Sequence, residues 1–298
     1  MFIALLLCAT GVCAEPLPME EVAPGVYVHR GVHEELDTGY HGDICNIGFI
    51  VGKKGVAVID SGGSLAVGQR LREAVRKVTP LPILYVINTH VHPDHIYGNA
   101  AFLADKPAYI GHYKLADAME RRREIYTRNN AAWLGDAAAG SEMVKPTQAV
   151  QSTLELDLGE RSLLLTAHPT AHTNTDLTVY DRNTSTLWSG DLLFIERTPS
   201  IDGDIKGWLQ VIGKLREIPA QRIIPGHGPV PASWNEALAN EQRYLETLLN
   251  DVRASIRKGE SMERAMDTAA AAEKDRWVLF GTVNRRNVNI IYPVLEWE

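Results

Sequence analysis

Apolar and polar positions along the chain change period several times, and each change marks an element. "GVYVHR" (25–30) alternates and predicts a half-buried strand. "CNIGFIVGKKGVAVID" (45–60) carries two apolar runs around "GKKG", the pattern of a β-hairpin. Over 64–78 the spacing puts Val67, Leu71, Val75 and Val78 on one helical stripe. "LPILYVIN" (81–88) is continuously apolar and predicts a strand buried on both faces. A charged helix is expected over 112–130. Four short strand runs follow between 152 and 190: "STLELDL", "RSLLLTAH", "LTVYD" and "TLWSG". After them come a helix over 205–217, a strand at "RIIP", and a long helix over 232–258. That last helix turns Trp234, Leu238, Leu245, Leu248, Val252 and Ile256 inward. This order predicts two sheets with helices outside them, an α/β chain forming one domain over 19–298.

The 298 residues are 45% hydrophobic, ordinary for a globular protein, with a formal net charge of −7. The longest basic run is "RRR" at 121–123, expected on a solvated helix face, so a nucleic-acid footprint is excluded. The apolar run at 2–12 is too short to span a bilayer. With the small residues before Glu15 it predicts a signal peptide over 1–14 and export to the periplasm, leaving no transmembrane anchor in the mature chain. Cys8 and Cys13 would leave with that leader. The remaining Cys45 can form no intrachain disulfide and makes a thiolate metal cluster implausible.

Candidate chemistry is concentrated in "NTHVHPDHIYGN" (88–99), where three of the ten histidines stand beside an aspartate. His90 and His92 are two apart, so an extended backbone turns both to one side. Pro93 keeps the segment out of a helix until Asp94, and Gly98 leaves room for close approach. Further on, His172 lies between strand runs in "PTAHTNTD". Asp191 directly follows a strand in "LWSGDLLF", and His227 stands between glycines in "IIPGHG". All of these are expected on loops after apolar strands, where open α/β sheets place ligands. Imidazole and carboxylate are the donors that suit zinc.

H-x-H-x-D-H, a lone His, an Asp after a strand and a final "GHG", in that order, resemble the metallo-β-lactamase superfamily. The resemblance covers essentially the whole mature chain. It implies the four-layer αββα sandwich of that superfamily and two Zn²⁺ per chain. His90, His92 and His172 would hold one ion, Asp94, His95 and His227 the other, and Asp191 would bridge them. Ala171 and Thr175 stand where many relatives carry glycine, which reduces local backbone freedom. "GDICNIGFIVG" (42–52), "DSGG" (60–63) and "NVNIIYPVLE" (287–296) are similar to segments of the quinoprotein-relay zinc metallohydrolases. That similarity implies a link to a periplasmic quinoprotein dehydrogenase system.

The expected function is hydrolysis of an ester, thioester or amide in a small-molecule substrate by a metal-bound hydroxide, with Asp94 as the catalytic side chain. Two alternatives stay open: a mononuclear-iron persulfide dioxygenase of the same fold, and a metal-stabilised accessory binding protein with little turnover. Asp60 is expected to be a hydrogen-bonding carboxylate rather than a ligand. His33 and His41 flank a polar loop that is either a lid or a solvated segment. His29, His112 and His168 are expected to be structural. Arg285 and Arg286 are either a surface pair or an anion-binding pair.

Overall fold

The computed structural model describes residues 14–37 and 39–298. The expected leader over 1–14, with Cys8 and Cys13, lies outside the described residues except for Ala14.

Seven strands form the first sheet in sequence order: β1 Glu20–Ala23, β2 Val26–His29, β3 Ile47–Val51, β4 Val56–Ile59, β5 Ile83–Ile87, β6 Ala108–His112 and β7 Gln148–Val150. Pairing is antiparallel through β4 and parallel from β4 to β7. The second sheet runs β12-β11-β10-β9-β8, from β8 Thr153–Asp157, β9 Ser162–Ala167, β10 Leu177–Asp181, β11 Thr186–Phe194 and β12 Arg222–His227.

The two sheets pack face to face, and strand periodicity explains why. Ala57 and Ile59 of β4 point between the sheets, where they meet Ile87, Ile110, Leu165, Val179 and Trp188. Val56 and Val58 point the other way, against Leu71 and Val75 of helix α1 (Leu65–Val78). A strand covered on both faces must be apolar at every position, which is the continuous run the sequence displays. Ser64 caps α1 by accepting the Val67 amide at 3.2 Å. Val78, expected on its buried stripe, is 40% exposed in the last turn. The stripe ends one turn early because α1 stops there and Thr79 turns the chain away.

Helix α2 (Pro93–Ile96) is a single turn, and α3 (Leu115–Leu134) follows β6. On the outer face of the second sheet lie α4 (Ile205–Leu215), α5 (Trp234–Arg257), α6 (Met262–Thr268) and α7 (Phe280–Leu295). Their core includes Trp208, Leu238, Leu245, Leu248 and Val252 against Leu187, Leu193 and Ile223. Trp234 and Ile256 sit at its margin, half-buried. The result is the expected helix–sheet–sheet–helix sandwich. No described helix is long and apolar enough to cross a membrane.

Candidate metal centre

One edge of the sandwich collects the carboxyl ends of β4, β5, β9 and β12 together with β11, and the polar residues of interest gather there. The helix expected after Pro93 begins at Pro93 itself, with His92 as its extended N-cap (φ −66°, ψ 146°). Proline is favoured at the first helical position because its missing N–H is not needed there, and it biases the preceding residue to extended backbone. His92 can then reach His90: His90 Nε2 and His92 Nδ1 are 3.1 Å apart. Asp94 and His95 are carried inward on the short helix rather than on a loop as expected. Asp191 does not follow a strand but lies inside β11, which continues to Phe194 with irregular register beside β12. Gly190, at φ +52°, allows that irregularity, and a Cβ there would meet Thr89. His227 is the last residue of β12 rather than a loop residue. The loop placement was wrong for these four, but their convergence does not depend on it.

Two adjacent donor sets result. His172 Nε2 is 3.0 Å from His92 Nδ1 and 3.3 Å from Asp191 Oδ2, while His90 Nε2 is 3.7 Å from that oxygen. In the second set His95 Nε2 lies 3.2 Å from Asp191 Oδ1 and 3.4 Å from Asp94 Oδ2. His227 Nε2 lies 3.2 Å from Asp191 Oδ2 and 3.5 Å from Asp94 Oδ2. Donors about 2.0–2.1 Å from a tetrahedral ion sit about 3.3 Å from one another, so both sets have the spacing of a ligand shell. The fit is also visible in what lacks a partner: His95 Nε2 and Asp191 Oδ1 are buried without a hydrogen bond. Such atoms cost free energy unless something occupies the space between them. The cluster can hold metal.

Each imidazole is held by its other nitrogen. His95 Nδ1–H donates to Asp60 Oδ2 at 2.8 Å, and His172 and His227 donate to the carbonyls of Ser200 and Ile44. Thr89 gives its hydroxyl proton to Asp60 and accepts from His90 Nδ1–H, while His92 Nε2–H donates to Asp202 at 3.2 Å. All five tautomers therefore leave the lone pair facing the cluster. Asp60 is thus an orienting carboxylate, as expected. Burial pushes His172 down to about 3 and, aided by the charge of His95, lowers His90 well below its ordinary value. Burial acts against ionising Asp191, but His227, His95 and His90 outweigh it and hold the carboxyl well below its usual range. Neutral His90 and His172 and an ionised Asp191 are the protonation states that metal ligation requires. Against their burial, the surrounding carboxylates raise His95 and Asp202 raises His92, so those two would release a proton when an ion binds.

The remaining expected sites separate. His29 pairs with Asp43, His112 with the His168 carbonyl, and His168 with Thr178, all outside the cluster. His41 is exposed beside Glu34, whereas His33 meets Glu196. Their loop roofs one side of the site, with Leu36 and Ile44 facing the cavity and Tyr40 packed edge-on to Trp133. Arg285 pairs with Asp267, so only Arg286 of that pair faces the cavity. Ala171 and Thr175 lie outside the left-handed region, so neither position needs glycine. Thr173 instead donates its amide and hydroxyl to the buried Asp176, whose carboxyl burial raises to about 7, and Thr175 bonds to the Thr173 hydroxyl.

Several contributors carry no motif. Arg122, expected on a solvated face, donates to Asp202 at 3.1 Å and so fixes His92 at second hand. Asn287 of α7 donates to Pro199 O and accepts from Ile201 N, holding the segment that supplies Ser200. Asn46 donates to the carbonyls of Pro225 and Gly228, clamping the turn that bears His227. Cys45 is buried near Asp94 and His95, but burial raises its thiol well above the usual range, and the S–H donates to the Asp94 carbonyl.

Gly226 gives one direct test of this packing. A Cβ there would lie 1.9 Å from Asp191 Oδ1 and 2.8 Å from the Gly190 backbone. Gly226→Ala is expected to displace Asp191, weakening metal binding about 10-fold or more and costing about 1–3 kcal/mol of stability. Competition with a chromophoric chelator and thermal unfolding measure both. Unchanged metal affinity would mean that Asp191 is not confined as shown.

Two converging donor sets beneath a β-sandwich edge make a site that could hold metal. The metallo-beta-lactamase superfamily model matches residues 41–227, more than half the chain, and the chain belongs to that superfamily. A linear primary-alkylsulfatase from Pseudomonas sp. (strain ATCC 19151) is 22% identical over 61% of this chain and 41% of its own. An uncharacterised protein of Caenorhabditis elegans is 25% identical over 73% of this chain and 55% of its own. The chain thus spans about half the length of the curated relatives it matches. Among solved structures, a stereoselective inverting sec-alkylsulfatase from Pseudomonas sp. superimposes with a TM-score of 0.71. It is 17% identical, covering 93% of this chain and 50% of the other. A metallo-beta-lactamase from Pontibacter korlensis gives 0.60 at 19% identity, over 77% and 99%. At these identities the structural likeness shows the fold alone.

Proposed function

We propose that the protein is a dinuclear-zinc hydrolase of ester-type bonds in a small-molecule substrate. The observation that carries this reading is the pair of donor sets sharing Asp191, with His95 Nε2 and Asp191 Oδ1 buried without a hydrogen bond. His90, His92 and His172 would hold one ion, and Asp94, His95 and His227 the second, with Asp191 common to both. Bound there, the ions would supply Lewis acidity and a water acidic enough to ionise near neutral pH. The chain's own residues do the rest. Asp94 borders a cavity of about 220 Å³ and would accept the hydrogen bond that orients the attacking water. Asp60, Asp202 and the backbone carbonyls keep the imidazoles aimed. Leu36, Trp133 and the roof loop limit bulk water.

The names of the alkylsulfatase relatives favour sulfate esters as a second substrate class beside carboxylic esters, thioesters and amides. Residence in the periplasm beside a quinoprotein dehydrogenase system is a further part of the proposal. Its support is the apolar N-terminal run and the three short segments quoted above.

Elemental analysis of the purified protein is expected to find two zinc per chain. A chelator should abolish turnover and added zinc restore it, on a panel of ester, thioester, lactone, β-lactam and alkyl sulfate substrates. One equivalent of iron with oxygen consumption on a persulfide would replace this reading with the dioxygenase. Full metal loading with no turnover would leave the binding-protein alternative.

A further inference from the structure

The cavity over the donor sets is two-sided in character. Leu36, Trp133, Val283 and Ile290 give it an apolar wall, while Arg197 and Arg286 bring two cations to the same space. Arg197 is only 7% exposed. Its Nη1 donates to the Glu34 carbonyl at 2.9 Å, and it forms no carboxylate ion pair among the described residues. The contrast with the other buried arginine is clear, since Arg161 is bound through two nitrogens to Asp181. Buried guanidinium groups are ordinarily paired, because an unpaired charge in a low-dielectric setting is costly. Arg286, in the second turn of α7, makes no ion pair among the described residues either, and the two like charges disfavour one another. If two divalent ions are loaded as proposed above, their charge exceeds that of Asp94 and Asp191. Of the carboxylates whose charge reaches Arg197, Glu35 alone would then still offset it, and it forms no ion pair with that arginine among the described residues.

We propose that Arg197 and Arg286 form a seat for a monoanionic group on the substrate, separate from the bond cleaved, whose apolar body lies on Leu36, Trp133 and Ile290. The substrate class is therefore an amphiphilic anion. This rests on the hydrolase reading for the word substrate, but the seat itself is a binding site testable without turnover. Arg197 presents the planar fork that matches a carboxylate or sulfate oxygen pair. Arg286, at the rim, adds attraction that salt weakens.

The test is calorimetric titration of the zinc-loaded protein with octanoate and with octanamide, which share an apolar body and differ in charge. Octanoate is expected to bind at least about 10-fold more tightly. Arg197→Met should weaken octanoate by about 10- to 100-fold, the range for a hydrogen-bonded charge, and leave octanamide unchanged. Arg286→Met should weaken octanoate less and flatten its salt dependence. Zinc content, measured on the same samples, should stay constant. Octanoate binding that ignores both substitutions would mean that the ions alone hold the anion and would overturn the seat. Equal weakening of both probes by Arg197→Met would make that residue merely structural. If Arg197→Met does not fold, Arg286→Met decides, and an unchanged octanoate affinity in it rejects the seat. Arginine-dependent octanoate binding in a protein inactive on every ester would keep the seat while removing the hydrolase reading.

Discussion

Asp191→Ala is expected to leave a protein that retains less than one equivalent of zinc and has lost its turnover. Among the described residues no other side chain faces both donor sets: Oδ2 lies 3.3 Å from His172 Nε2 and 3.2 Å from His227 Nε2, and Oδ1 lies 3.2 Å from His95 Nε2. Removing a residue that only orients a ligand already lowers metal affinity about 10- to 100-fold. Removing a shared ligand should therefore cost at least about 10²-fold at each position. His227→Ala is the contrast, since it removes a nitrogen from the second set alone. Zinc measured after dialysis against a weak chelator separates the two patterns. Asp191→Ala should empty both positions, while His227→Ala should keep the position bounded by His90, His92 and His172. Retention of two zinc ions by the Asp191→Ala protein would refute the shared-ligand arrangement.

Much of this site was legible because its members are either close in sequence or placed at strand ends. His90, His92, Asp94 and His95 declare themselves by spacing, and β5 ahead of them by its unbroken apolar run. Legibility stopped where a role depends on contacts remote in the chain. Arg122 reaches Asp202 across 80 positions, and Asn46 reaches Gly228 across 182. Neither residue type is unusual where it stands, so no local pattern marks it. Arg197 is similar: an arginine after a strand looks solvent-bound until burial and the absence of a described carboxylate partner are seen. The limits of β11 were misjudged because Gly190–Asp191 reads as a strand end. In fact the left-handed Gly190 only shifts the register, and the strand continues to Phe194. Helices α6 and α7 escaped because Pro293 interrupts the apolar pattern near the C-terminal end of α7, and α6 is only two turns long.

Asp94→Asn is expected to separate catalysis from metal retention. The carboxylate is buried, and although burial opposes its ionisation, His95 and His227 hold it charged. Its Oδ2 lies 3.4 Å and 3.5 Å from their Nε2 atoms, so in the proposed enzyme it both anchors the second ion and accepts a hydrogen bond from the attacking water. Asparagine keeps the shape and one oxygen but removes the charge on which both roles depend. Loss of a positioned proton acceptor ordinarily costs about 10²–10⁴-fold in rate. The first set contains no atom of Asp94, so at least one zinc should remain. His168→Ala provides the control: the residue is buried and hydrogen-bonded to Thr178 but lies outside the cluster. That substitution should cost about 1–3 kcal/mol of stability, for a lost buried hydrogen bond, with zinc content and rate nearly unchanged. Rate, zinc content and thermal unfolding measured on the same samples distinguish the cases. An Asp94→Asn protein with full activity would remove the proposed role of that carboxylate, and loss of zinc from the His168→Ala protein would show that the histidines had been assigned to the wrong sets.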